Sequence, residues 1–240
     1  NRGAAAAQLD GTIDVTQVFA TESAFAALRA DGSLVTWGDP ASGGNGSTVA
    51  AQVDGTIDVT RVFSTLHAFA ALRADGSLVT WGDSASGGDS SAVASQLDGT
   101  IDVTQVFATA EAFAALRADG SLVAWGASGQ GGNIGTAGPI DGTIDVTQVF
   151  ATGSAFAALR ADGSLITWGN SESGGSSNAV AAQIDGTIDV AQAWSTAEAF
   201  AALRADGSVV AWGDPAYGGD SSAVAAQIDG TIDVTQIFST

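Results

Sequence analysis

A chain of 240 residues that is 45% hydrophobic and only 14% charged holds enough apolar material for a packed core, which excludes global disorder. Seven arginines, no lysine and 26 carboxylates leave a net charge of −19, which argues against nucleic acid and anionic membrane surfaces as partners. The absence of cysteine removes disulfides, thiolate metal sites and cysteine nucleophiles, and no apolar run reaches the roughly 20 residues of a bilayer-spanning helix.

The chain opens at Asn1 without a methionine and without a signal peptide, and reads as a processed or excised segment. In chain order, Asp-Gly-Thr-Ile-Asp-Val begins at Asp10 and returns at Asp54, Asp98, Asp141, Asp185 and Asp229, at intervals of 44, 44, 43, 44 and 44 residues. Phe-Ala-Ala-Leu-Arg-Ala-Asp-Gly-Ser starts at Phe25, Phe69, Phe113, Phe156 and Phe200, and Trp-Gly follows at Trp37, Trp81, Trp125, Trp168 and Trp212. The reading is one repeat domain over 1–240, with units near 10–53, 54–97, 98–140, 141–184 and 185–228 and a partial unit at 229–240.

Within a unit, residues 13–18 alternate and predict a first strand, and Val18 followed by Phe19 breaks the alternation, so burial on both faces is expected near its end. Residues 24–28, the turn 29–32 and residues 33–38 predict a hairpin, since Asp-Gly favours tight turns and Leu34-Val35-Thr36-Trp37 suits a strand. A glycine-serine loop follows, and the alanine-rich run seen again at 220–228 predicts a capped helical turn, with a fourth short strand or coil as alternatives. A single three-stranded sheet cannot bury both faces, so its aromatics must pack against neighbouring units. The fold class expected is all-β, tandem repeats forming β-propeller-like blades of three to four strands, with an open β-solenoid as the alternative.

Residues 15–38 resemble the repeat of the regulator of chromosome condensation family, which runs from a strand through an apolar strand to an Asp-Gly turn and a closing Trp-Gly. Residues 125–136 extend the likeness with Trp-Gly followed by Gly-Gln-Gly-Gly. The resemblance implies a β-propeller with about one blade per repeat. Thr21 and Glu22 stand where that family usually has a glycine pair, and Ala24 where it has a histidine. The unit is shorter, as in bacterial propellers of this type that include secreted β-lactamase inhibitors. No residue matching an exchange-factor site for a small GTPase is present to carry over.

The two ends, 4–21 and 223–240, are the same part of the unit, which favours an open array or a piece of a longer one. Charge argues for wider spacing. Asp14, Asp58 and their equivalents, stacked at about 4.8 Å, would repel by roughly 0.9 kcal/mol per pair even in water.

Candidate sites are few. His67 aligns with serine or glutamate in the other units and reads as a solvated position; Tyr217 reads as a loop anchor. The regular arginines, beginning at Arg29, read as braces for the turn aspartates two residues on. The Asp-Gly-Thr-Ile-Asp carboxylates read as turn and edge charges, with calcium ligation as an alternative. The tryptophans read as core, with glycan platforms as an alternative. Near-identical units give each aspartate a near-identical setting, and an acid–base pair needs two different ones. No catalytic, cofactor or metal residue is assigned and no cofactor is expected. The expected function is a non-catalytic scaffold for protein recognition or structural assembly, with a multivalent glycan or calcium module, or a propeller-type enzyme inhibitor or regulator, as alternatives. Its partner is a protein or a further copy of itself, and the irregular loop at 127–139 is the most distinctive surface.

Overall fold

The structure is a computed structural model that describes residues 2–135 and 140–239. A short helix α1 (Arg2–Gln8) precedes five three-stranded antiparallel sheets, each in simple sequential order. They are β1–β3 (Val15–Ala20, Ala24–Arg29, Leu34–Gly38), β4–β6 (Val59–Ser64, Ala68–Arg73, Leu78–Gly82) and β7–β9 (Val103–Ala108, Ala112–Arg117, Leu122–Gly126). The remaining two are β10–β12 (Val146–Ala151, Ala155–Arg160, Leu165–Gly169) and β13–β15 (Val190–Ser195, Ala199–Arg204, Val209–Gly213). Contacts divide the chain into two bodies, residues up to 118 with 123–127, and residues 119–122 with 128 onward. The same local construction recurs in both.

The first strand of each sheet departs from strict alternation. Val59 pairs with Arg73 and Arg61 with Leu72, so the register shifts across Thr60. This bulge turns both Val59 and Val62 inward, each under 7% exposed, where an ideal strand would send them to opposite faces. Thr60 Oγ1 donates to the Leu72 carbonyl at 3.1 Å and pins the bulge. The hairpin is as expected: Phe69 opposes Trp81, and Arg73 and Ser77 close an Asp-Gly turn. The alanine-rich run forms a 3-10 helix (Ser91–Gln96, Asn178–Gln183, Ser222–Gln227) and not a fourth strand.

Alanine on both faces of the central strand lets successive sheets approach closely; Ala68, Ala70 and Ala71 are fully buried. In the first body, Val49, Val53, Val59, Val62, Phe69 and Trp81 form one core between the first two sheets. An equivalent core in the second body joins Leu165, Ile184, Val190, Phe200 and Trp212. Each core draws on two repeats, which is how a thin sheet obtains a dry interior.

Two devices join one repeat to the next, and a third holds the first of them in place. The glycine loop after each of the first four Trp-Gly pairs covers the following Phe–Trp pair: Trp81 Nε1 donates to the Gly43 carbonyl at 3.0 Å, and Trp125 does the same to Gly87. Gly43 has φ +90°, and a methyl placed on it would lie 2.6 Å from Phe69 Cδ2, so both conformation and space demand glycine there. The loop is held by its own repeat, since Thr65 Oγ1 donates to the Ser86 carbonyl and accepts from the Ala68 amide. Finally, the next Asp-Gly-Thr-Ile-Asp segment clasps the preceding hairpin, with Val59 N donating to Gly32 O and Leu34 N to Val53 O, both at 2.9 Å.

Candidate functional site

Aspartates, arginines, serines and threonines that recur in each repeat hold its turns and loops together. Asp54 Oδ1 accepts the Thr56 amide at 2.8 Å, and the same Asx turn recurs at Asp10, Asp98, Asp141, Asp185 and Asp229. The second aspartate of the motif sits between two hairpin turns. Asp58 offers its carbonyl to Ala74 N of its own turn, while its carboxylate lies over Gly32 of the preceding one. Successive copies of this aspartate are thus each seated on a different turn. Among the described residues, no three acidic or histidine side chains converge in the manner of a metal cluster.

The arginines brace the turns. Arg73 donates to Ser77 Oγ at 3.0 Å and lies 3.6 Å from Asp75, while Ser77 Oγ donates to Asp75 at 2.6 Å. Arg29, Arg160 and Arg204 repeat the arrangement. His67 lies 3.7 Å from the exposed Glu22, on the loop between β4 and β5. Tyr217 is half exposed, with its carbonyl accepting from Thr196 Oγ1 at 2.9 Å. Four of the five tryptophans of the Trp-Gly series are under 5% exposed and stacked on phenylalanine at 5.2–5.5 Å. They are interior residues, which removes the per-repeat glycan platform in those repeats.

The irregular third loop keeps the repeat's joint: Trp168 Nε1 donates to Gly131 O at 2.9 Å, and Gly131 covers Phe156. Residues 136–139 of that loop lie outside the described residues. Sequence reasoning singled out Trp-Gly but missed the glycine five or six residues on. The available signal was Gly43, Gly87, Gly131, Gly174 and Gly218 recurring with the repeat's period.

The local hydrogen bonds depress the carboxylates. The Thr56 amide holds Asp54 below the usual aspartate range, and the Ser77 hydroxyl does the same for Asp75, against a smaller opposing effect of burial. A group with a depressed folded-state value stabilises the fold fully above its unfolded value, about 3.9, and loses that contribution as pH falls through the lower folded value. Thermal melts followed by circular dichroism are therefore expected to give a flat midpoint from pH 7 to about pH 5 and a falling one below about pH 4. Asp98→Asn, which keeps the acceptor oxygen, is expected to leave the midpoint at pH 7 within a degree or two.

The fold is that of propeller-type repeat proteins, built from short three-stranded sheets with a Trp-Gly closing strand. Among solved structures it is similar to human WBSCR16 at 18% identity and TM-score 0.50, over 84% of this chain and 62% of that one. Prp20p of Saccharomyces cerevisiae, the yeast RCC1, matches at 15% identity and TM-score 0.50, over 88% and 60%. The ectodomain of the Physcomitrella patens receptor kinase CR4 matches at 17% and 0.50, over 85% and 51%. The chain thus spans between half and two thirds of the length of these structures. The likeness supports the regulator of chromosome condensation resemblance at the level of fold. No family model and no curated protein matches the chain.

Proposed function

We propose that the chain is a non-catalytic scaffold for protein recognition or structural assembly, acting as a single repeat domain. The observation that carries this reading is that the first aspartate of each motif, the turn arginines, aspartates and serines, and the bulge and loop threonines are engaged in contacts that recur from repeat to repeat. Equivalent aspartates share one setting, so none is paired with a group poised at a different protonation state, as acid–base catalysis requires. Variation is concentrated in the segments after each Trp-Gly, at 39–47, 83–90, 127–135, 170–177 and 214–221. Prp20p is described with binding to Gsp1p and histones. A net charge of −19 likewise suits a basic protein surface as partner.

Titration calorimetry with purified histones as the basic-protein probe tests this, alongside calcium and simple sugars. The expected result is saturable protein binding that weakens with salt and drops at least tenfold when residues 127–139 are replaced by residues 83–96 of the second repeat. Unchanged binding after that replacement would remove the loop from the reading. About five equivalent sites for calcium or a sugar would replace the scaffold with a multivalent binding module.

A further inference from the structure

Two residues past Gly43, Gly87, Gly131 and Gly218, the loop closes a further Asx turn. Asn45 Oδ1 accepts the Ser47 amide at 3.1 Å. Asp89 and Asp220, at the equivalent position, accept from Ser91 and Ser222, each at 2.9 Å. Asn133 accepts from Gly135, also at 2.9 Å. One loop position thus takes asparagine or aspartate and makes the same turn with either. What differs is the residue that follows. Asn45-Gly46 is the single Asn-Gly pair of the sequence, whereas Asn133 precedes Ile134. A third asparagine, Asn170, precedes Ser171 and accepts the Glu172 amide at 2.8 Å. All three asparagines are exposed and held in Asx turns, so only the next side chain separates them.

That side chain decides whether the next main-chain nitrogen can reach the asparagine carbonyl. Glycine has no Cβ to block or stiffen the approach, and β-branched isoleucine does both. The ring closed by the Asn45–Ser47 hydrogen bond contains both Asn45 Cγ and the Gly46 nitrogen, so the side chain is already folded back along its own main chain. The restraint on that nitrogen is one hydrogen bond, from Gly46 N–H to Thr36 Oγ1 at 2.9 Å.

We propose that Asn45 is a self-modification site, at which the Gly46 nitrogen displaces ammonia and water opens the resulting cyclic imide to aspartate or isoaspartate. The bond formed joins Gly46 N to Asn45 Cγ, and the bond broken is Cγ–Nδ2. The Gly46 amide proton leaves with that nitrogen as ammonia. Water then adds to one of the two imide carbonyls, with no change of oxidation state. Cleavage at Cγ restores the ordinary main chain and an aspartate. Cleavage at the main-chain carbonyl leaves isoaspartate, with the main chain routed through Cβ. The fold accepts the first product, because Asp89 already occupies that position with the same turn in the second repeat. The second product lengthens the main chain by one carbon and abolishes the Asx turn. Either one adds a negative charge to the segment 39–47, one of the variable loops, with time and without an enzyme. This goes beyond the proposed scaffold function and does not rest on it.

Peptide mapping by mass spectrometry, on the folded 240-residue chain held in mildly alkaline buffer, reads the conversion residue by residue. The Asn45 peptide is expected to gain both aspartate and isoaspartate at least about tenfold faster than the Asn133 and Asn170 peptides change. Anion exchange of the intact chain is expected to show a more acidic species growing at the same rate. Gly46→Ser installs the residue that Ser90 supplies in the second repeat, and is expected to slow the Asn45 conversion about tenfold with unchanged circular dichroism. Asn45→Asp is expected to keep the melting midpoint within a degree or two of wild type. An Asn45 that outlasts Asn133 and Asn170, or a rate that Gly46→Ser leaves unchanged, would overturn the proposal. Aspartate formed with no isoaspartate would overturn the imide route, and a large fall in the Asn45→Asp midpoint would overturn the tolerance of the product.

Discussion

Gly87→Val is expected to lower stability by about 3–5 kcal/mol, read as a shift in the denaturant midpoint. Two costs add at this position. A β-branched residue at φ +94° occupies backbone space that L side chains avoid, at roughly 1–3 kcal/mol. Its Cβ would also lie 2.6 Å from Phe113 Cδ2 and 3.0 Å from Cε2. Phe113 is fully buried against Trp125 and has nowhere to swing, so the joint must open by a further 1–3 kcal/mol or so. Gly218→Val carries the backbone strain alone, since nothing lies within 4 Å of that site. Measured at low concentration, it is expected to lose only about 1–2 kcal/mol. Equal losses in the two variants would show that crowding of the phenylalanine contributes nothing.

Phe113→Ala is expected to cost about 3–5 kcal/mol, the usual range for emptying a fully buried aromatic site. Phe25→Ala is the matched comparison, because its ring is stacked on tryptophan at the same 5.3 Å and differs only in cover. At 43% exposure it is expected to cost about 1–1.5 kcal/mol. The difference between the two measures what a neighbouring repeat contributes to one joint. Hydrogen exchange on the Phe113 variant is expected to show lost protection on both flanking sheets, β4–β6 and β7–β9, since the core is shared. Loss confined to one sheet would mean that repeats are self-sufficient, contrary to the shared cores.

The hairpin was legible because its determinants are local: Asp-Gly sets the turn, and Leu-Val-Thr-Trp reads as strand in any context. The arginine brace was legible for the same reason, with both partners two residues apart. The first strand was legible in kind but not in register. Ile13 to Val18 alternates on paper, and the break at Val18–Phe19 gives no sign of the bulge at the Thr60 position, held by a hydrogen bond to the opposing strand, that turns two valines to one face. Charge argued against stacking the aspartates of successive repeats but gave them no seat, because their neighbours are hairpin turns from two repeats, a relation that no single repeat displays. Gly43 and its counterparts escaped notice for a similar reason. A glycine in a serine-rich loop looks permissive until the ring it covers, 26 residues further on in the case of Phe69, is placed against it.

The clasp of each Asp-Gly-Thr-Ile-Asp segment on the preceding hairpin sets an order for biosynthesis. The turn at Gly32 gains its Val59 hydrogen bond only after 27 more residues have been polymerised, and Phe69 finds the Gly43 loop already in place. Each segment leaving the ribosome is therefore expected to complete the one before it as it docks. Maturation is then expected to run from the amino end at a lag of 27 residues, about three fifths of a repeat, with each hairpin meeting its own neighbour first.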